Sequence, residues 1–275
     1  MSAKISQEKI CPQTIGDCLS RLRERRPLVH NITNFVVMNF TANILLALGA
    51  SPAMVHAAEE VEDFTAISAA LVVNIGTLDA SWVKNMSLAA RKAAAAGIPW
   101  VLDPVGAGAT PFRTRTALAI LALAPNALRG NASEILAVTG AAGHMPKGVD
   151  ATVSSAHALE AARSLARQTR TVVAVTGATD YVVGAERGVA LRGGSPMSQL
   201  VTGTGCAATA CVGAFLAVEK DALLATAAGL AALKAAAAMA EPRAEGPGSF
   251  QTALLDALYR LSPEDLAKHV AIGEA

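Results

Sequence analysis

Two hydrophobic rhythms run along the chain. One recurs every three to four residues and marks amphipathic helices. Ile15, Cys18, Leu19 and Leu22 share a face from Thr14 to Arg25, and Pro27 stops that helix. The other rhythm is the short unbroken apolar run of a strand buried on both faces. Leu71-Val-Val-Asn-Ile-Gly76, Pro99-Trp-Val-Leu-Asp103 and Thr171-Val-Val-Ala-Val-Thr-Gly177 are of this kind. Leu28–Thr33, Ser51–His56 and Ala127–Asn131 read as shorter extended segments. Helices are expected over Phe35–Leu48 with Asn34 as N-cap, Phe64–Ala70, Asp79–Ala96, a stretch ending near Leu123, Ala132–Val138 and Ala151–Arg167. The last third predicts helices at Ala207–Val218, Leu223–Met239, Phe250–Leu261 and Pro263–Val270. Tyr181–Gly184 and Gly188–Arg192 read as an antiparallel pair at the sheet edge.

Strands alternating with helices predict an α/β fold with a mostly parallel sheet covered on both faces. No linker interrupts the 275 residues, so a single domain is expected, with residues 1–12 as a mobile arm. Arg23, Arg25 and Arg26 at a helix end read as a solvated cap.

Composition narrows the classes. The chain is 52% hydrophobic and 16% charged with a net charge of +1, and no basic face stands out. Nucleic acid is therefore not expected as the main partner. The N-terminus is polar and lacks the apolar core of a signal peptide, and the apolar run Ala222–Leu233 is too short to cross a bilayer. Cys11, Cys18, Cys206 and Cys211 match no zinc spacing. Free thiols and a cytoplasmic protein are expected, with Cys18 and Cys211 in the core and Cys11 in the arm.

The chemistry gathers at strand ends, where parallel sheets bind ligands. His30-Asn31, Asn74, Asp103, Asn131 and Thr176-Gly177 all stand at or near such ends. Leu200-Val-Thr-Gly-Thr-Gly-Cys206 is a Gly-rich turn feeding an apolar helix. Its free N–H groups and positive dipole end make an anion hole. Asp103-Pro-Val-Gly-Ala-Gly108 offers a hard oxygen ligand that Mg2+ accepts directly or through water. Asn131-Ala-Ser-Glu134 reads either as a capping box or as an amide and carboxylate serving the same metal. Cys206 at the rim of the turn reads either as a base or as a small polar filler. A buried His30 is expected to be a satisfied structural residue, and no other His spacing suggests a site.

The Gly-x-Gly turn and Asn-x-x-Glu resemble the ribokinase-like superfamily of small-molecule kinases, which implies a three-layer α/β/α fold. Cys206 stands where most of those kinases carry Asp. With His30-Asn-Ile-Thr-Asn-Phe35, Asp103-Pro-Val-Gly-Ala-Gly108 and Arg129-Gly-Asn-Ala-Ser-Glu134, the chain closely resembles the hydroxyethylthiazole kinase family from about Pro27 to about Ala240. That resemblance implies ATP-dependent phosphorylation of 4-methyl-5-(2-hydroxyethyl)thiazole in thiamine salvage. It places Met54, Asn31 and Gly203 at the thiazole, and Arg129, Thr176 and Asn131 at ATP. Gly203, Thr204 and Gly205 become the anion hole, Asp103 and Glu134 serve Mg2+, and Cys206 faces the substrate hydroxyl. It also implies a homotrimer with sites between subunits. The rival expectations are a hydroxymethylpyrimidine kinase, a repair dehydratase of the same fold and a non-catalytic ligand-binding protein.

Overall fold

The computed structural model describes residues 9–140 and 151–275, with backbone alone for 151–155. Most of the expected arm, Gly143 and His144 lie outside the described residues. In chain order the elements are α1 (Pro12–Arg25), β1 (Leu28–Ile32), α2 (Met38–Leu48), β2 (Ser51–Ala53), α3 (Val61–Ile67), β3 (Ala70–Asn74) and α4 (Ala80–Ala96). There follow β4 (Trp100–Asp103), α5 (Pro111–Leu121), β5 (Ala127–Asn131), α6 (Ala132–Val138), α7 (Ala151–Thr169), β6 (Val172–Thr176), β7 (Thr179–Val183) and β8 (Gly188–Gly193). Then come α8 (Thr204–Leu216), α9 (Ala222–Ala240), α10 (Pro247–Arg260), α11 (Pro263–His269) and β9 (Val270–Glu274).

One nine-stranded sheet runs in the order β2-β1-β3-β4-β5-β6-β7-β8-β9. β2, β1, β3, β4, β5 and β6 pair in parallel, β7 and β8 follow as antiparallel hairpin strands, and β9 returns from the end of the chain to pair antiparallel with β8. The apolar strand runs divide by the period of two, because successive side chains point to opposite faces. Val72 and Val101 join the core under α1, α2 and α8–α11. Leu71, Val73, Trp100 and Leu102 join the core under α3–α7. This is the expected three-layer arrangement.

Several boundaries differ from the sequence expectation, each for a local reason. Asn34 does not cap a helix: residues 34–37 form a turn, α2 begins at Met38, and the Asn34 amide is drawn into a side-chain network. The helix expected at Phe64–Ala70 spans Val61–Ile67, and the strand after it starts at Ala70. The β7–β8 hairpin is not the sheet edge. The last helix ends at His269 and the chain turns directly into β9, which covers β8. Arg23 is not a solvated cap. Its guanidinium donates to the carbonyls of Leu258, Leu261 and Tyr259, which satisfies the C-terminal end of α10. Cys11 is the N-cap residue of α1 and not part of a mobile arm, whereas Cys18 and Cys211 are buried as expected.

The Ala-rich helices answer a spacing requirement. A Cβ on Gly213 of α8 would lie 2.4 Å from Val72 Cγ2, and one on Gly229 of α9 would lie 2.7 Å from the Val212 backbone. α8 is thus clamped between sheet and α9 at a distance that only small residues permit. Contrary to the expectation for Ala222–Leu233, the helical run Ala222–Arg243, 22 residues, is long and apolar enough to cross a bilayer, but 72% of its apolar 18-residue window is buried inside the protein, as in a core helix. Gly229→Ala is expected to cost about 1–3 kcal/mol by overpacking, read from urea unfolding. Gly248→Ala, with nothing within 4 Å of its Cβ, is expected to stay within about 0.5 kcal/mol of the parent. Equal effects would remove the spacing argument.

Candidate active site

The strand ends converge as expected. Asn74 and Asp103 are register partners at the ends of β3 and β4, and Asn131 and Thr176 are partners at the ends of β5 and β6. The Asp103 carboxylate is fully buried. Its Oδ2 accepts from Asn74 Nδ2 at 2.9 Å and from Thr209 Oγ1 at 2.7 Å, with Arg129 Nη1 at 3.9 Å. Its Oδ1 has no partner. Burial pushes the Asp103 carboxyl up to about 7, against the pull of Arg129, and the nearby Glu134 charge adds to the rise.

α8 aims its N-terminus at this group. It starts at Thr204, three residues earlier than the hydrophobic pattern indicated, so Cys206 lies inside its first turn. Gly203 is the N-cap at φ +91°, a conformation that disfavours side chains. A Cβ there would also lie 2.8 Å from Val37 Cγ1. Gly205 packs against Arg129, whose Nη1 would lie 3.0 Å from a Cβ at that position. Thr204 Oγ1 donates to the Ser198 carbonyl at 2.7 Å and ties down the preceding turn. Among the described residues, the N–H groups of Gly205 and Cys206 have no backbone acceptor. These free donors and the helix dipole give the turn a positive end suited to an anion, whereas Thr204 N, one of the donors expected from the sequence, is bonded to the Val201 carbonyl at 3.5 Å.

Cys206 sits in an amide network that sequence reasoning missed. Asn34 Nδ2 lies 2.9 Å from Asn74 Oδ1 and 3.5 Å from Cys206 Sγ. Thr209 stands three residues after Cys206 on α8, the spacing of one helix face. It was the only polar side chain between Cys206 and Cys211, and that was the available signal. Burial pushes the Cys206 thiol up to about 11, and the Asp103 charge acts in the same direction. These outweigh the amides of Asn74 and Asn34 and the Arg129 cation. The group is a neutral thiol at physiological pH.

Asn131-Ala-Ser-Glu134 is a capping box. Asn131 Oδ1 accepts from Glu134 N, and Glu134 Oε2 from Asn131 N, both at 2.9 Å. Glu134 Oε1 also accepts from Gly106 N at 2.9 Å, which ties the Asp103–Gly108 turn to α6. Two backbone donors leave lone pairs on the carboxylate. Among the described residues, no cluster of three or more His, Cys, Asp or Glu could hold a metal alone. The unpartnered Asp103 Oδ1 and the Glu134 lone pairs nevertheless suit Mg2+, which keeps most of its waters and needs few carboxylates.

Beside Gly205 opens a cavity of about 640 Å³ lined by Arg129, Asn131, Thr176, Thr204 and Gly205, together with Asp180 and Lys234, which the sequence reading did not single out. Arg129 Nη2 donates to Thr176 Oγ1 at 2.5 Å. Met54 and Asn31 do not line it. Met54 is half-buried just after β2, four strands from β5. Near that end of the row, His56 stacks on Trp82 at 4.3 Å and Phe35 meets Trp82 edge-on at 4.8 Å. Asn31 is buried, with Nδ2 bonded to the Val29 carbonyl and Oδ1 unpartnered. His30 is a satisfied structural residue. Burial lowers its pKa, Nε2 lies 2.7 Å from the Val55 carbonyl, and Nδ1 lies 3.1 Å from Thr65 Oγ1, whose one proton also faces the Val61 carbonyl at 2.7 Å.

Comparison with known proteins follows the same lines. The model of the hydroxyethylthiazole kinase family matches residues 19–264. The chain is 49% identical to a hydroxyethylthiazole kinase of Syntrophus aciditrophicus, over 96% of this chain and 98% of that one. It is 53% identical to a hydroxyethylthiazole kinase of Moorella thermoacetica, over 92% and 94% respectively. The solved hydroxyethylthiazole kinase of Pyrococcus horikoshii superposes with a TM-score of 0.89 at 46% identity, covering 96% of this chain and 99% of that one. A Staphylococcus aureus pyridoxal kinase shares the fold at 15% identity, with a TM-score of 0.62 and coverage of 90% and 98%.

The thiol gives a direct test. Alkylation of Cys206 by iodoacetamide, resolved by peptide mass spectrometry, should rise about tenfold per pH unit through pH 9 because only the thiolate reacts. A plateau below pH 9 would contradict a thiol held near 11.

Proposed function

The chain belongs to the hydroxyethylthiazole kinase family and is a thiazole-alcohol kinase of thiamine metabolism, and we propose from that premise how its residues divide the reaction. ATP occupies the cavity at Arg129, Asn131 and Thr176, with its γ-phosphoryl group at the N–H groups of Gly205 and Cys206. The thiazole lies on the β1–β2 side, against Met54 and near Asn31, with Gly203 beneath it and its hydroxyl at Cys206. The observation that supports this layout is the placement of the α8 N-terminus over the middle of the strand row, with the cavity on one side and Met54 on the other.

Phosphoryl transfer passes through a loose transition state with charge on the equatorial oxygens, so positioning and electrostatics dominate. The Gly205 and Cys206 N–H groups and Arg129 face that charge from fixed positions. Asp103 and Glu134 would hold Mg2+ partly through water, and the ion would offset phosphate charge there. Asn74 and Thr209 fix the Asp103 carboxylate, and Arg129 draws it toward its ionised form. Cys206 contacts the acceptor hydroxyl as a neutral thiol whose sulfur Asn34 holds in place. In a loose transition state the hydroxyl proton leaves late, so a strong resting base is not required.

We also place the enzyme in the cytoplasm as a homotrimer with sites between subunits. Four free cysteines suit a reducing compartment. Phe35, Val36 and Leu200, 60%, 65% and 66% exposed, stand on segments beside the anion hole and suit burial against a neighbouring copy.

Two kinetic tests follow, both reading ADP release with hydroxyethylthiazole and, in parallel, hydroxymethylpyrimidine. Arg129→Met should raise KM for ATP about tenfold or more, the cost of losing a charged contact, and Met54→Ala should raise KM for the thiazole alone. Reversed effects, or phosphorylation of the pyrimidine only, would overturn the layout. Cys206→Ser should keep kcat within about tenfold and Cys206→Asp should remain active. A loss of about a hundredfold or more in the serine variant would mark a true general base.

A further inference from the structure

One side chain holds two separate segments of the cavity wall. Lys234 projects from α9 toward the β6–β7 turn and the end of β8. Its ammonium lies 3.3 Å from the carbonyl oxygens of Gly177 and Ala178 and 3.4 Å from that of Gly193. Asp180 Oδ1 is 3.3 Å away. The pair is enclosed, with side-chain exposures of 12% for Lys234 and 6% for Asp180. Asp180 Oδ1 also accepts from Gly177 N at 3.0 Å, so the carboxylate closes its own turn.

The proton count separates this lysine from a phosphate ligand. An ammonium carries three donors and no acceptor. Four protein oxygens at 3.3 to 3.4 Å share these protons, so the ammonium is already engaged before an anion arrives. Phosphates in the cavity would meet Arg129 and the α8 N-terminus instead. The Asp180 carboxylate needs a cation, because a buried charge is costly without one, and the three carbonyl dipoles at the cavity rim add to the attraction. The Gly193 end is constrained independently. Gly193 and Gly194 have φ of +137° and +90°, and a Cβ on Gly193 would lie 2.4 Å from the His269 carbonyl oxygen.

We propose that Lys234 is a positioning residue acting as a built-in cation, whose ammonium neutralises Asp180 and gathers the Gly177, Ala178 and Gly193 carbonyls into the wall that receives the nucleotide. The proposal rests on the reading of this cavity as the ATP site. Its consequence is chemical: with the side chain removed, the cage of oxygens accepts a small cation of the same charge. The kinase then depends on an ion that the parent does not need.

The test is Lys234→Ala in the full chain, with KM measured for ATP and for the thiazole. Ammonium, methylammonium and tetramethylammonium chlorides are added at matched ionic strength. KM for ATP is expected to rise about tenfold or more, with KM for the thiazole within about twofold of the parent. Ammonium or methylammonium should lower the ATP value saturably, while tetramethylammonium, which has no N–H donors, should not. An unchanged KM for ATP, or a raised one that neither small ammonium ion lowers, overturns the proposal. Arg129→Met run alongside separates the two layers. If it raises KM for ATP and Lys234→Ala does not, the cavity binds nucleotide and only the role of Lys234 falls. If neither variant does, the nucleotide reading falls as well. Should Lys234→Ala fail to fold, Lys234→Met combined with Asp180→Asn removes the stranded carboxylate. The same ATP-selective rise is expected of it, and its absence overturns the proposal.

Discussion

The close approach of α8 to the sheet sets the geometry of everything at the strand ends. Gly213 lets the helix axis settle against Val72, and Gly229 lets α9 press it there from behind. At the other end of the helix, Gly205 leaves room for the Arg129 guanidinium. A helix held this tightly cannot slide or rotate without clashes, since protein interiors are close-packed. The free N–H groups of its first turn are therefore aimed before any ligand arrives. Fixed dipoles of this kind need no reorganisation when charge develops, which is how such groups stabilise a transition state.

Besides Glu134, the same region carries the buried carboxylates Asp103 and Asp180, each facing a cation that lines the cavity. Arg129 faces Asp103 and extends a hydrogen bond to Thr176. Lys234 faces Asp180. Burial raises both acids and the cations oppose the rise. Removing charges from water is expensive, and pairing offsets the cost only when further hydrogen bonds satisfy the remaining lone pairs. Asp180 meets that condition at Oδ1, which both Gly177 N and Lys234 approach. Asp103 meets it at one oxygen and leaves the other open.

Cys206 lies between these systems, and its chemistry is decided by enclosure. Burial and the Asp103 charge favour the thiol more strongly than the Asn74 and Asn34 amides and the Arg129 cation favour a thiolate. The Asn34 and Asn74 amides link it to the Asp103 carboxylate through side chains from two strand ends. In the layout we propose, a polar but neutral group meets the acceptor hydroxyl, and the positive potential is concentrated on the phosphoryl side.

Local pattern determined the sheet, its coverage on both faces and the row of polar strand ends. Those features depend on periodicity and on runs such as Leu71–Val73, which any arrangement of the chain must bury. The Gly203–Cys206 turn, Asp103 and the Asn131–Glu134 box were legible because their chemistry is written in adjacent residues, whereas Arg129 was picked out only by the family resemblance. Tertiary structure alone decided the rest. Asn34 looks like a cap in sequence, but Asn74 and Cys206 compete for its amide across long loops. Arg23 looks solvated until α10 presents its open carbonyls. β9 is a short segment whose strand character comes from the free edge of β8. Lys234 follows an apolar run in the sequence, and only folding brings three carbonyls and Asp180 around it. Hydrophobic period and turn chemistry act over a few residues and can be read along the chain. Hydrogen bonds between distant side chains, and the loss of water around them, exist only once the segments have met.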